Sequence, residues 1–309
     1  MSVVERALDK VRRRGAGPAP VSPVDVVAYA PASTGSASPP PIATVSIAPD
    51  SAHTEPRLFI DRRALRLAGY LPETQQDRRF ADEYRRIKRP LLELAFQPVP
   101  EDQADLPSPR LVMMASALPG DGKTFTSINL ALSLAREKDS SVVLVDGDVA
   151  KPHVSKIFGV EDQPGLMDLL ANRSLNVADL ILPTDVAGLS ILPAGTRSDA
   201  ATELLSSVRM REIAAQIIAR NPRCIALFDS PPLLVSSEAN ALATSMGHVV
   251  LVVRAGKTPR HAVVDAVESL GERVRVSVVL NQGRRGISEG RYGYGYGYAE
   301  GYGDQKAEG

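Results

Sequence analysis

The sequence has one cysteine, no net charge and no long apolar run, and each absence narrows its class. Cys224 has no second thiol to pair with, which excludes an internal disulfide and fits a reducing, cytosolic setting. The 36 Lys and Arg residues balance 36 Asp and Glu residues, so overall charge favours neither nucleic acid nor an anionic membrane. No apolar run approaches the roughly 20 residues that span a bilayer, and the N-terminus lacks the apolar core of a signal peptide. We therefore expect a soluble protein that reaches a membrane only through a partner.

Composition divides the chain into four regions. Residues 1–56 are rich in proline, alanine and serine, cannot bury enough apolar surface to order themselves, and are predicted to be disordered. Residues 57–107 are basic and helical, and residues 108–283 carry the pattern of a catalytic domain. Residues 284–309 alternate tyrosine with glycine, show no periodic apolar face, and are predicted to form a mobile tail.

One helical face is evident in the basic region. Its apolar residues recur at spacings of three and four: Phe80, Tyr84, Ile87, Leu91 and Leu94. Pro90 falls inside this pattern and is expected to kink the helix or to start a new one. Glu83, Arg86 and Arg89 lie three residues apart on the same helix. By spacing alone they indicate a solvated face with a weak ion pair.

Residues 108–283 alternate apolar, strand-like runs with helical runs, which predicts an α/β fold with a doubly wound, mostly parallel sheet. The predicted strands are 110–115, 141–146, 189–193, 223–229, 248–254 and 275–281. The predicted helices are 124–137, 164–172, 207–220, 236–245 and 259–272.

A glycine-rich turn between the first strand and the first helix predicts a phosphate-binding loop. Gly120 and Gly122 let the backbone approach phosphate closely, Lys123 is a solvent-facing charge that reaches the outer phosphates, and the Thr124 hydroxyl suits Mg²⁺. Ala117 stands where the usual pattern has its first glycine. The residues predicted to bind nucleotide are Pro119, Gly120, Asp121, Gly122, Lys123, Thr124 and Phe125.

Carboxylates follow two further strands of the predicted sheet. Asp146 and Asp148 come after the apolar run Val142 to Val145, and Asp229 comes after the run Cys224 to Phe228. Ligands of open α/β sheets bind beyond the carboxyl ends of the strands, so these side chains are expected to meet the phosphate loop. Because Mg²⁺ prefers one or two carboxylates with phosphate oxygens, the sequence predicts a site for a nucleoside triphosphate with Mg²⁺.

The motifs together resemble the bacterial tyrosine kinases. P-G-D-G-K-T is followed by V-V-L-V-D-G-D, then by I-A-L-F-D-S-P-P, and the chain closes on a tyrosine cluster. Within this family the sequence is similar to the autokinases encoded with exopolysaccharide and exosortase loci. The resemblance covers the chain from about Arg57 onward. It implies an ATP-dependent protein-tyrosine autokinase that uses Mg²⁺, phosphorylates its own C-terminal tyrosines and regulates exopolysaccharide polymerisation or export.

The resemblance also implies roles for individual residues. Lys123 and Thr124 match the Walker A motif, Asp146 and Asp148 the Walker A′ motif, and Asp229 the Walker B aspartate. Lys123, Asp146 and Asp148 are then the catalytic candidates, with Asp146 contacting the incoming phenol. Thr124, Asp146 and Asp229 are the candidates for holding Mg²⁺.

Three more features follow from the resemblance. Glu83, Arg86 and Arg89 fit the E-x-x-R-x-x-R motif that family members use to assemble rings, which predicts a homo-oligomeric interface. Asn281 resembles the asparagine that contacts the base in related P-loop ATPases. The Walker A′ motif usually carries an arginine where this chain has Ala150, which is followed by Lys151.

The resemblance places the acceptor hydroxyls in the tail, at Tyr292, Tyr294, Tyr296, Tyr298 and Tyr302. The family's membrane-spanning activator module is absent from the sequence. We therefore expect a separate inner-membrane activator of the copolymerase type, peripheral membrane association through it, and no nucleic-acid partner.

Two other hypotheses about function compete with the kinase hypothesis. A ParA- or MinD-like switch ATPase would bind DNA or membrane, but that group carries a lysine where this chain has Leu118, and the C-terminus lacks a basic amphipathic helix. Alternatively, the tail is a low-complexity segment for self-association or RNA binding. Its few arginines and its attachment to a phosphate-binding loop disfavour that reading.

Overall fold

Seven strands form one sheet in the order β3-β4-β2-β5-β1-β6-β7. The computed structural model describes residues 57–72, 77–100, 105–271 and 274–283, so the region 1–56 and the tail tyrosines lie outside the described residues. The strands are β1 (Leu111–Ser116), β2 (Ser141–Asp146), β3 (Leu182–Pro183), β4 (Leu189–Leu192), β5 (Cys224–Asp229), β6 (His248–Arg254) and β7 (Arg275–Asn281).

The sheet is parallel except at one edge. Six strands coincide with the predicted runs and pair in parallel, and every residue of β1 and of β5 is buried. Continuous apolar runs are typical of parallel strands covered on both faces. The seventh strand, β3, is antiparallel to β4 and was not predicted. Two residues, one of them a proline, are too short to show a strand period.

Helices cover both faces of the sheet. They are α1 (Arg62–Leu67), α2 (Asp77–Phe96), α3 (Lys123–Leu134), α4 (His153–Ile157), α5 (Leu166–Ala171), α6 (Val177–Leu180), α7 (Ala201–Leu205), α8 (Val208–Ala219), α9 (Ser237–Ala243) and α10 (Arg260–Ser269). The five predicted helices correspond to α3, α5, α8, α9 and α10. Helices α4, α6 and α7 were missed because four or five residues span little more than one turn.

The helix α2 runs unbroken through Pro90. No new helix begins at Pro90, so the alternative that a second helix starts there was wrong. The predicted apolar face is buried at all five of its positions: Phe80, Tyr84, Ile87, Leu91 and Leu94. Burial of this face, rather than helix propensity alone, therefore stabilises α2.

The buried face of α2 packs against α3. The rings of Phe80 and Phe125 meet edge to face with their centroids 5.6 Å apart. Lys88, which is only 7% exposed, donates to the Ser133 carbonyl at 2.9 Å and pairs with Glu137 at 2.6 Å. A lysine is rarely buried unless its charge is paired, so this contact fixes the register of α2 on α3.

Residues 57–72 wrap from the edge of the sheet to α3. Leu58 donates to the Pro183 carbonyl at 2.8 Å and forms a parallel bridge with Thr184, which covers the edge strand β3. Further on, the Asn129 side chain donates to the Tyr70 carbonyl at 2.8 Å. Within the described ranges, no helix has the length and apolar character needed to cross a bilayer.

Candidate nucleotide-binding site

The turn between β1 and α3 has the backbone shape that a phosphate loop requires. Gly120 and Gly122 adopt φ values of 84° and 91°, a region that favours glycine because a Cβ is strained there. A Cβ on Gly122 would also overlap the side-chain amide of Asn281, whereas the space beside Gly120 is open. The turn therefore leaves room for a ligand at Gly120, while Asn281 packs tightly against Gly122.

The substitution at Ala117 is accommodated without strain. Ala117 is fully buried and is not among the residues of the described chain with positive φ, so this position does not need glycine. Asp121 braces the rest of the turn, because it accepts from the Leu118 N–H at 3.3 Å and from the Thr258 hydroxyl at 2.7 Å. Burial nevertheless raises the pKa of the Asp121 carboxyl.

Asp229 is the centre of the site. Its Oδ1 accepts from Lys123 Nζ at 3.2 Å and from Ser127 Oγ at 2.7 Å, and its Oδ2 accepts from Thr124 Oγ1 at 2.8 Å. Lys123 is 8% exposed, so the expectation of a solvent-facing lysine was wrong. The ammonium is held against a buried carboxylate because β5 ends beside the first turn of α3. The role of Ser127 had no signal in the sequence.

Asp146 is the last residue of β2, the strand that pairs with β5, and it lies in register with Asp229 at the end of β5. Its Oδ2 accepts from the Ser155 N–H at 2.7 Å and from Ser155 Oγ at 2.8 Å, whereas its buried Oδ1 has no partner among the described residues. Burial, with the nearby charges of Asp229 and Asp148, raises the pKa of the Asp146 carboxyl to about 7, even though the two bonds from Ser155 lower it.

Asp148 begins the turn that follows β2. Its Oδ1 accepts from the Lys151 N–H at 3.0 Å. Burial raises the pKa of the Asp148 carboxyl, with the Lys123 charge acting in the opposite direction. The guanidinium of Arg197, from the loop after β4, donates to the Ala150 carbonyl of the same turn. No sequence spacing connects Arg197 with this turn.

The donor set suits Mg²⁺ shared with a triphosphate. Across the described ranges, no group of three or more His, Cys, Asp or Glu side chains is placed to hold a metal by itself. Mg²⁺ is usually held by one or two carboxylates together with phosphate oxygens and water. The unpartnered Oδ1 of Asp146 and the adjoining Thr124 hydroxyl and Asp229 carboxylate are oxygen donors of this kind.

Two other predicted contacts are placed beside the loop. The Asn281 amide donates to the Asp121 carbonyl at 2.9 Å, and its Oδ1 accepts from the Gln282 N–H at 2.9 Å. The ring of Phe125 contacts Phe80, so its backbone N–H is the part that remains available to a phosphate. Base contact by Asn281 stays a prediction.

The residues of the predicted ring motif lie on α2, where Glu83 borders the buried apolar face beside Tyr84. Arg86 and Arg89 are exposed and Glu83 is half-buried. The tail tyrosines predicted as acceptors lie outside the described residues, as does everything after residue 283.

A phosphate loop on a parallel sheet, with acidic residues at the ends of β2 and β5, defines a P-loop nucleotide-binding domain. Residues 110–270, more than half of the chain, match the family model described as an AAA domain. The chain is 32% identical over 184 residues to tyrosine-protein kinase YwqD of Bacillus subtilis, covering 59% of this chain and 76% of the relative. It therefore belongs to the bacterial tyrosine kinases, a family of enzymes.

A longer relative and two solved kinase domains agree with this assignment. The chain is 30% identical over 144 residues to tyrosine-protein kinase wzc of Salmonella typhimurium, covering 47% of this chain and only 20% of that protein. The crystal structure of the VpsO kinase domain matches with a TM-score of 0.54 and 31% identity, covering 69% of this chain and all of that one. The kinase domain of Escherichia coli tyrosine kinase ETK shares the fold, with a TM-score of 0.56 at 24% identity over 71% and 80% of the chains.

Proposed function

We propose that this chain is an ATP-dependent protein-tyrosine autokinase that phosphorylates its own C-terminal tyrosines. The observation that supports this most directly is the convergence of Lys123, Thr124 and Asp229, with Asp146 in register beside them. A tyrosine hydroxyl has a pKa near 10, so transfer depends on positioning and on stabilising charge in a loose transition state.

The residues take the following roles in the proposed reaction. Lys123 and the N–H groups of the loop hold the β- and γ-phosphates, and Thr124 with Asp229 holds Mg²⁺, directly or through water. When bound, Mg²⁺ would neutralise charge that develops on the phosphates. Asp146 contacts the incoming phenol, and Asp148 supports the metal or the base. Asp146 is also a candidate ligand of Mg²⁺ through its unpartnered Oδ1.

The proposed acceptors are the tail tyrosines, Tyr292, Tyr294, Tyr296, Tyr298 and Tyr302. A glycine-rich tail tethered to each subunit of an oligomer would present its phenols to a neighbouring site at a high local concentration. Transfer between subunits is therefore expected.

A mixing experiment tests both the activity and its direction. One subunit carries Lys123→Met and keeps its tail, and the other has an intact site but lacks residues 292–309. After incubation with ATP and Mg²⁺, a phosphotyrosine immunoblot is expected to label the Lys123→Met subunit only when both are present. If the Lys123→Met subunit in the mixture carries no phosphotyrosine while the wild-type chain in a parallel sample does, transfer between molecules is ruled out. ATP hydrolysis without phosphotyrosine in the wild-type chain would favour the switch ATPase instead.

We also propose that α2 forms the contact of a homo-oligomeric ring through Glu83, Arg86 and Arg89. Exposed ion pairs are individually weak, so such a contact is reversible. Each phosphate on the tail adds about −1.5 to −2 charges, and several would crowd like charges around the ring.

Light scattering before and after ATP tests this coupling. The assembly formed by the wild-type chain is expected to decrease in mass as its tail is phosphorylated. A chain with Arg86→Glu and Arg89→Glu should have the mass of a monomer both before and after ATP is added. The control is Arg211→Glu on the exposed side of α8. An assembly whose mass is unchanged by full phosphorylation would contradict control by the tail.

The resemblance and the family suggest the cellular setting. We propose a separate inner-membrane activator of the copolymerase type, peripheral association of this chain with the membrane through it, and a regulatory role in exopolysaccharide polymerisation or export.

A further inference from the structure

The loop after β4 carries Arg197, and contacts with α5 hold the backbone of this loop beside the candidate site. Asp168 Oδ2 accepts from the Gly165 N–H at 2.8 Å and from the Thr196 N–H at 3.1 Å. Gly195 has a φ of 81°, and a Cβ there would collide with Asp168 and Gly165, so the two backbone segments pack closely. The Ala194 carbonyl accepts from the Met167 N–H at 2.9 Å, so the backbone that carries Arg197 is held on both sides of Gly195.

Arg197 connects this loop to the turn after β2. Its guanidinium donates to the Ala150 carbonyl, two residues from Asp148. A guanidinium has five N–H donors, so the other donors remain for a ligand on the exposed side of the residue. Lys151, the next residue in the turn, is also exposed. In the part of the chain that the structure describes, no carboxylate pairs with the guanidinium of Arg197 or the ammonium of Lys151.

The end of the tail, residues 292–309, carries the opposite charge, whereas the residues before it include Arg284, Arg285 and Arg291. Residues 292–309 contain the carboxylates Glu300, Asp304 and Glu308 against one lysine, Lys306. Every phosphotyrosine adds about −1.5 to −2 charges. Arginine suits such groups because its planar fork can bind a phosphate through two parallel hydrogen bonds.

We propose that Arg197, with Lys151 beside it, is a docking site for the acidic and phosphorylated tail of another subunit. This inference rests on the proposed autokinase function, and it identifies what positions the substrate. A phosphate already added at one tyrosine binds at Arg197 and holds the neighbouring phenols close to Asp148. Each transfer then strengthens docking for the next one, until the repulsion between phosphates separates the subunits.

Direct binding of a tail peptide tests the proposal without relying on catalysis. The probe is a fluorescent peptide of residues 292–309 with phosphotyrosine at Tyr298, titrated into the full chain and followed by anisotropy. Arg197→Gln is expected to raise the Kd about fivefold, the range of an exposed charge pair, and Arg197→Lys to raise it less. The matched control is Arg220→Gln, an exposed arginine that precedes β5 and so lies toward the amino ends of the strands, opposite the carboxyl ends that carry the candidate site.

A second measurement separates this proposal from the proposed function. The unphosphorylated peptide is offered as substrate with ATP and Mg²⁺, and the KM for peptide, the KM for ATP and kcat are compared. Docking predicts that Arg197→Gln raises the KM for peptide and leaves the KM for ATP unchanged. An unchanged Kd for the phosphopeptide, or a higher KM for ATP alone, overturns the docking site. Binding that depends on Arg197 in a chain that transfers no phosphate would refute the kinase and support docking.

Discussion

Replacing Lys123 with methionine is expected to lower tyrosine phosphorylation by roughly 10³-fold or more. Losing a positive side chain that stabilises the transferring phosphoryl group has effects of this size. The ammonium lies at the first residue of α3, 3.2 Å from Asp229, where phosphate and metal would meet. Asp229 keeps the hydroxyl donors of Thr124 and Ser127 in the variant, so it is not left bare. We therefore expect a stability loss of about 1–3 kcal/mol and a folded protein.

Autophosphorylation and thermal unfolding by circular dichroism measure the two effects on the same samples. Lys138→Met is the matched control, because Lys138 is exposed in the connection between α3 and β2. It should label like the wild type. A Lys123→Met chain that is folded and labels as well as the wild type would refute the assignment of the phosphate loop.

The sequence carried most of the fold because its strands are buried on both faces. An apolar run such as Val142 to Val145 cannot lie at a surface, and parallel pairing puts the residues that follow such runs at one edge. The prediction that Asp146 and Asp229 come together rested on this rule, and the two residues are in register. The apolar spacing of α2 also predicted which face is buried.

What the sequence did not reveal are contacts between distant residues. Ser127 contacts Asp229 across 102 positions, and Ser155 joins Asp146 to the Ala194 N–H of the neighbouring strand end. A serine has no pattern that distinguishes such a role from a cap or a solvated position. The burial of Lys123 escaped prediction for a related reason, since a lysine in a glycine-rich turn gives no sign of the carboxylate that covers it.

The packing of α2 on α3 links the proposed ring contact to the nucleotide site. The Phe80 ring contacts Phe125 two residues after Lys123, and Lys88 is paired at the other end of α3. The opposite side of α2 carries Arg86 and Arg89. Assembly through that side would therefore act on a helix that is rigidly joined to the phosphate loop. If assembly changes nucleotide affinity, nucleotide must change assembly by the same factor.

Asp146→Asn is expected to reduce phosphoryl transfer by about 10²-fold or more while changing the Kd for a non-hydrolysable ATP analogue much less. The substitution keeps the shape of the side chain and an oxygen that can accept from Ser155, but it removes the charge and the basicity of the free Oδ1. It also removes a negative charge next to Asp229, which lowers the electrostatic cost of bringing in a triphosphate.

Single-turnover transfer and a nucleotide titration measure the two effects separately. Ser155→Ala, which keeps the carboxylate and the N–H bond, should lose less transfer than Asp146→Asn. Equal losses of transfer and of nucleotide affinity in Asp146→Asn would instead make Asp146 a residue that only organises the metal.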